Sequence, residues 1–74
     1  MEFDYSKLRG RIIEKFGSIE AFSNNTKITN VSVSKKLNNK IPISRADMIE
    51  WSELLEIPLE EYGLFYCTKK LNQV

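Results

Sequence analysis

Amide, hydroxyl and lysine side chains recur between residues 27 and 40 of this 74-residue chain. Asn can form two hydrogen bonds with adenine, Lys can reach O6 and N7 of guanine, and a Val methyl group can contact the thymine methyl group. Val33 and Leu37 are four residues apart, so on a helix they face the core together. The residues left facing outward are Val31, Ser32, Lys35 and Asn38, with Asn30 and Ser34 at the margins. This pattern indicates a helix that reads base edges in a major groove.

The charges of the chain are divided along its length. Residues 21–46 carry five bases and no acid, whereas residues 47–61 carry six acids and no base. A basic surface turned toward phosphate and an acidic surface turned away from it would account for this division; two ordinary solvated faces are the alternative. The predicted phosphate contacts are Lys27, Lys36, Asn39, Lys40 and Arg45.

Five short helices are expected to position these residues. The spacing of apolar residues predicts helices over 5–16, 19–25, 30–38, 45–55 and 58–64. Side chains suited to N-capping precede four of them, namely Asp4, Ser18, Thr29 and Ser44, the last forming a capping box with Asp47. Gly17 and the pair Asn38–Asn39 suit helix exits because Gly and Asn tolerate the left-handed conformation.

The second and third predicted helices are joined by a tight polar turn, which is typical of a helix-turn-helix motif. We therefore predict an all-α fold of the lambda-repressor-like class, with a helix-turn-helix domain over residues 1–66. Residues 67–74 form a C-terminal tail, for which we favour an extended arm because strand-favouring residues are frequent there. Phe65, Tyr66 and Leu71 either bury against the core or form a two-fold dimer contact, and we favour the dimer.

Several function classes are disfavoured by composition. The chain has no His, one Cys and no glycine-rich phosphate loop, so we expect neither an enzyme nor a metal or cofactor site. The absence of a long apolar run and of a disulfide pair leads us to expect a cytoplasmic protein with no membrane contact. Trp51 is expected to be a core residue, because its helix is acidic and would repel nucleic acid.

Three stretches carry a family resemblance: FDYSKLRGRIIEKFGSIEAFS, VSVSKKLNNKIPIS and ELLEIPLEEYG. Over about residues 3–66 they resemble the small Cro-like helix-turn-helix regulators of temperate phages of Gram-positive bacteria. The resemblance implies a regulator of the lysis–lysogeny switch that binds double-stranded operator DNA, usually as a homodimer. Carried over by position, it implies that the following residues face the bases or the nearby backbone: Thr29, Asn30, Val31, Ser32, Lys35 and Asn38.

The predicted turn departs from the family pattern. Family members usually have Ala at position 23, an apolar residue at 26 and Gly at 27, where this chain has Ser23, Thr26 and Lys27. A residue other than Gly in a left-handed turn costs about 1 kcal/mol, and a hydroxyl in the core is unfavourable unless it is hydrogen-bonded. We therefore expect the second helix to end in a frayed or rebuilt turn.

This departure supports a competing hypothesis. The chain is also similar to phage modulators of repression, antirepressors that share the fold but bind a repressor protein. The acids of residues 47–61 would then attract the basic DNA-reading face of that repressor. Operator binding is our first interpretation of the sequence, and antirepression is the alternative.

Overall fold

The chain forms five α-helices and one 3₁₀ turn in the computed structural model, which describes residues 3–69. Within that range the helices are α1 (Ser6–Phe16), α2 (Ile19–Ser23), α3 (Asn30–Leu37), α4 (Arg45–Leu55) and α5 (Tyr62–Tyr66), with the 3₁₀ turn at Leu59–Glu61. The predicted all-α class is confirmed. No helix in the described part of the chain is long and apolar enough to cross a membrane.

Most helix boundaries follow from local capping. Gly17 ends α1 in the left-handed region with φ 86°. Ser18 then caps α2 by accepting the Ala21 amide at 3.0 Å, and Thr29 caps α3 by accepting the Ser32 amide at 3.1 Å. The predicted capping box at the start of α4 is present. These short-range bonds satisfy amides that a helix leaves unpaired at its N-terminus.

The turn after α2 is rebuilt by polar side chains. The Ser23 hydroxyl donates to the Glu20 carbonyl oxygen at 2.8 Å, and the Asn25 amide group donates to the Ala21 carbonyl oxygen at 3.0 Å. The Thr26 hydroxyl oxygen lies 2.8 Å from the Ser23 carbonyl oxygen. Because these side chains bind carbonyl oxygens at the end of the helix, α2 ends at Ser23 rather than at the predicted residue 25.

The expected strain at Lys27 is absent. Within residues 3–69, positive φ values are confined to Gly17, Asn39 and Glu56. Since Thr26 also accepts the Ile28 amide at 3.3 Å, its hydroxyl is satisfied as well. The turn therefore replaces the family's glycine conformation with side-chain hydrogen bonds, and the prediction of a strained Lys27 is wrong.

The core is centred on Trp51, which is fully buried as predicted. Phe22 stands edge-on to Trp51 at 5.4 Å between ring centroids, and Phe16 stands edge-on to Phe22 at the same distance. These contacts join α1, α2 and α4. The other fully buried apolar side chains are Leu8, Ile12, Val33 and Leu55.

The C-terminal helix differs from the prediction. Phe65 and Tyr66 lie in α5 and are 3% and 1% exposed, so they are core residues and their assignment to a dimer contact is wrong. The Tyr66 hydroxyl lies 2.9 Å from the Ser52 hydroxyl, and burial raises the pKa of Tyr66 to about 12. The helix therefore extends to Tyr66, two residues beyond the predicted end, and the two aromatic side chains bury their apolar surface in the core.

The two ends of the described chain meet. Phe3 and Lys69 form an isolated antiparallel bridge, and the Asp4 amide donates to the Thr68 carbonyl oxygen at 2.7 Å. Within residues 67–69 the pairing typical of an extended arm is confined to Thr68 and Lys69, because Cys67 ends α5 and donates its amide to the Gly63 carbonyl oxygen at 3.0 Å. Leu71 and the rest of the predicted tail, residues 70–74, lie outside the described residues.

Gly10 inside α1 and Gly17 directly after it provide a matched test of the cap at Gly17. A Cβ atom would meet nothing within 4 Å at Gly10 or at Gly17, but only Gly17 has a positive φ. We expect Gly17→Ala to lower the free energy of unfolding by about 1 kcal/mol. Gly10→Ala, inside the helix, should raise it by roughly 0.5–1 kcal/mol. Urea denaturation of both variants measures the difference, and equal effects would contradict the role of the left-handed cap.

Candidate functional site

Helix α3 places its predicted outward residues at the surface. Val33 and Leu37 are buried at 0% and 3% exposure, whereas Val31 on the opposite side is 62% exposed. Asn30, Lys35 and Asn38 are exposed with it. The inward and outward sides of α3 are therefore those expected from the spacing of its apolar residues.

Several polar groups on this side are already hydrogen-bonded. The Thr29 hydroxyl caps the helix and also bonds the Ser32 hydroxyl at 3.2 Å. The side-chain oxygen Oδ1 of Asn38 accepts a hydrogen bond from the Arg9 guanidinium at 2.7 Å. These bonds orient the side chains for helix capping and for contact with α1, and they occupy groups that base reading would need.

Two of the predicted phosphate contacts serve the fold instead. The Lys36 ammonium pairs with the Asp47 carboxylate, both side chains being 13% or less exposed, and it also donates to the Pro42 carbonyl oxygen at 3.2 Å. The Asn39 amide group bonds both the amide and the carbonyl oxygen of Phe3 at 3.0 Å. The prediction that Lys36 and Asn39 contact phosphate is therefore wrong, because their polar groups already bind other groups of the protein.

The remaining bases are exposed. Within residues 3–69, no hydrogen bond or ion pair involves the side chains of Lys27, Lys35, Lys40 or Arg45. Lys35 and Lys40 line a groove of about 560 Å³ between α3 and the loop that follows it. We call this the α3 groove; its other lining residues are Asn30, Val31, Ser34, Asn38 and Ile41.

The acids that follow are only partly neutralised. Asp47 pairs with Lys36, and Glu56 pairs with Lys15 at 3.0 Å. The hydrogen bond and the charge of Lys15 lower the pKa of Glu56. Four acids make no ion pair with the described residues, namely Glu50, Glu53, Glu60 and Glu61. We call residues 49–61 the acidic segment; it also exposes Ile49 at 48% and Leu59 at 76%.

Comparison with known proteins places this architecture in a family. A family described as "Protein of unknown function (DUF739)" matches residues 1–69. The chain belongs to that family. The solution structure of the modulator of repression of the temperate bacteriophage TP901-1 from Lactococcus lactis is similar, with 28% sequence identity, 97% of each chain covered and a TM-score of 0.80. A comparison with curated proteins found no match.

The predicted similarity to phage modulators of repression is thus confirmed for this DUF739 member. The wider assignments, to Cro-like regulators and to a helix-turn-helix that reads DNA, stay predictions. No group of three or more His, Cys, Asp or Glu residues in the described part of the chain could hold a metal ion.

Sequence reasoning missed three residues of this region. Arg9 reaches Asn38 across 29 residues, and Phe3 reaches Asn39 across 36. Ile41 lines the α3 groove at 38% exposure. The sequence offers one signal for Ile41. It is an apolar residue directly before Pro42, in a loop where burial is not required.

The Lys36–Asp47 pair generates a test of the loop between α3 and α4. Burial alone would raise the pKa of Asp47, but the hydrogen bonds from Lys36 and Ser44 and the Lys36 charge outweigh it, so this pKa is lowered. The pair therefore stabilises the fold above the ordinary carboxyl range, and this contribution is lost as the pH falls through the lowered pKa of Asp47.

We expect Lys36→Met to lower the free energy of unfolding at neutral pH by about 2 kcal/mol, because a hydrogen bond between charged groups is lost. It should also raise the pKa of Asp47. Lys35→Met is the matched control. Lys35 is the neighbouring residue, and its ammonium makes no ion pair within residues 3–69. Urea denaturation and an NMR pH titration of the Asp47 carboxyl measure both effects, and similar losses in the two variants would contradict this role.

Proposed function

We propose that this DUF739 member is an antirepressor, which binds a phage repressor protein and thereby reduces the occupancy of operator DNA. The observation that carries the proposal is the similarity to the TP901-1 modulator of repression over 97% of both chains. The match extends over nearly the whole of both chains, so it includes α3 and the acidic segment alike. In this role the protein acts in the cytoplasm by binding alone.

The charge distribution supports the same conclusion. A repressor that binds operator DNA must present a basic surface to phosphate. The four carboxylates of the acidic segment without an ion pair can complement such a surface, and the exposed Ile49 and Leu59 can add apolar contact. Occupation of the repressor's DNA-reading face would exclude the operator by direct competition.

Operator binding by the protein itself remains a second candidate function. It is favoured by one observation, the exposure of Lys27, Lys35, Lys40 and Arg45 without any acid between residues 21 and 46. The hydrogen bonds that occupy Thr29, Ser32 and Asn38 weigh against it, since base reading depends on such groups.

A gel-shift assay with a phage repressor and its operator distinguishes the two functions. For an antirepressor, added protein should release the operator from the repressor and co-purify with the repressor. For an operator binder, the protein should shift the operator alone, with an affinity that falls steeply as salt rises. A shift without repressor, and no co-purification, would overturn the proposal.

Charge reversal tests the acidic segment. We expect the double variant Glu53→Lys and Glu60→Lys to weaken repressor binding by about tenfold or more, because it places like charges against a basic surface. Glu14→Lys, an exposed reversal on α1, is the control and should bind as the unchanged protein does. Calorimetric titration of the repressor measures the affinities, and equal affinities in the two reversals would exclude the acidic segment from the interface.

A further inference from the structure

The α3 groove combines two properties that neither the fold nor the proposed function requires. Val31 at 62% exposure and Ile41 at 38% place aliphatic surface in solvent, which favours contact with a partner. The ammonium groups of Lys35 and Lys40 lie in the same lining, and that lining contains no acid. The lining of the groove thus combines two exposed aliphatic side chains with two positive charges.

The hydrogen bonding of the groove disfavours a DNA duplex as its ligand. Direct readout of bases needs side-chain donors and acceptors that are available to base edges. In the groove lining, the side-chain oxygen of Asn38 accepts from Arg9, and beside the groove the hydroxyls of Thr29 and Ser32 bond each other. Val31 and Ile41 supply exposed aliphatic surface in the same lining, and an aliphatic partner side chain gains more from burial against them than a base edge does.

The border of the groove specifies the charge of the partner. Lys35 and Lys40 make no ion pair within residues 3–69, so each can bind a carboxylate without breaking an existing contact. A flexible lysine is suited to an exposed carboxylate at the edge of an interface, where the pair adds orientation and association rate.

We propose that the α3 groove is a second docking surface, which binds an acidic protein segment. An aliphatic side chain of that segment sits between Val31 and Ile41, and its carboxylates contact Lys35 and Lys40. The groove has the charge opposite to that of the acidic segment of this protein, so it serves a different contact from the repressor surface proposed above. The two proposals stand independently.

The probe is a synthetic amphipathic peptide of glutamates with a leucine stripe, titrated into the isotope-labelled full chain and followed by NMR. Amide shifts should concentrate at the groove-lining residues Asn30, Val31, Ser34, Lys35, Lys40 and Ile41. A peptide with serine in place of leucine should bind about tenfold or more weakly, because the buried aliphatic contact is lost. Shifts elsewhere, or equal binding of the two peptides, would overturn the proposal.

Matched variants locate the contact. Val31→Ser should weaken binding of the leucine peptide by about tenfold, whereas Ile13→Ser, which removes a 48% exposed aliphatic side chain on α1 outside both proposed surfaces, should leave that binding unchanged. Lys35→Glu should weaken binding in low salt, and Lys27→Glu should not. These positions are exposed, and retained dispersion of the NMR spectrum confirms that each variant is folded.

Two further titrations test the other occupants. An operator-sized DNA duplex that produces the same shifts more tightly than the peptide would assign the groove to nucleic acid. Concentration-dependent shifts of the chain alone, at the groove and at Leu59, would assign it to a second copy. Either result overturns the proposal, and neither bears on the gel-shift test of antirepression.

Discussion

The ion pair between Lys36 and Asp47 is the constraint on which the exposed surface depends. Asp47 also closes the capping box of α4 by accepting the Ser44 amide at 3.0 Å, and Lys36 also binds the Pro42 carbonyl oxygen. One carboxylate and one ammonium therefore connect the last turn of α3, the following loop and the first turn of α4. The same loop carries Lys40 and Ile41, so the shape of the α3 groove depends on a contact made by residues that do not line it.

Because Lys36 and Asp47 pair within the fold, not all charges of the basic stretch 21–46 and the acidic stretch 47–61 are available to a partner. Each block of the sequence contributes one member to this pair, and Glu56 is paired with Lys15 of α1. Lys27, Lys35 and Lys40 lie on α3 and its flanking loops and make no ion pair with the described residues, and Arg45 begins α4. The acids Glu50, Glu53, Glu60 and Glu61, also without an ion pair there, lie further along α4 and on the 3₁₀ turn. A net charge of +1 thus hides two surfaces of opposite sign, each with exposed aliphatic side chains. Such surfaces suit contacts with two different chemistries better than one continuous DNA-binding face.

The features predicted correctly from the sequence are those that depend on contacts between residues close together in the chain. The caps at Ser18, Thr29 and Ser44 act over three residues, and the burial of Val33 and Leu37 follows from their spacing, so both were accessible from the sequence. The end of α2 was expected to change, but the hydrogen bonds of Ser23 and Thr26 were not. The contacts Arg9–Asn38 and Phe3–Asn39 join residues 29 and 36 positions apart, and no periodicity encodes them. They determine which polar groups are available for binding, which is why the fold was predicted more completely than the candidate site.

The position of Trp51 has a practical consequence for spectroscopy. It is the single tryptophan of the chain, it is fully buried, and Phe22 packs against its ring. Its fluorescence emission therefore reports on the dry interior where α2 meets α4 and is insulated from the solvent-facing side of α3. A change in emission wavelength would indicate loosening of the interior, whereas a ligand bound at the surface would leave the emission wavelength unchanged.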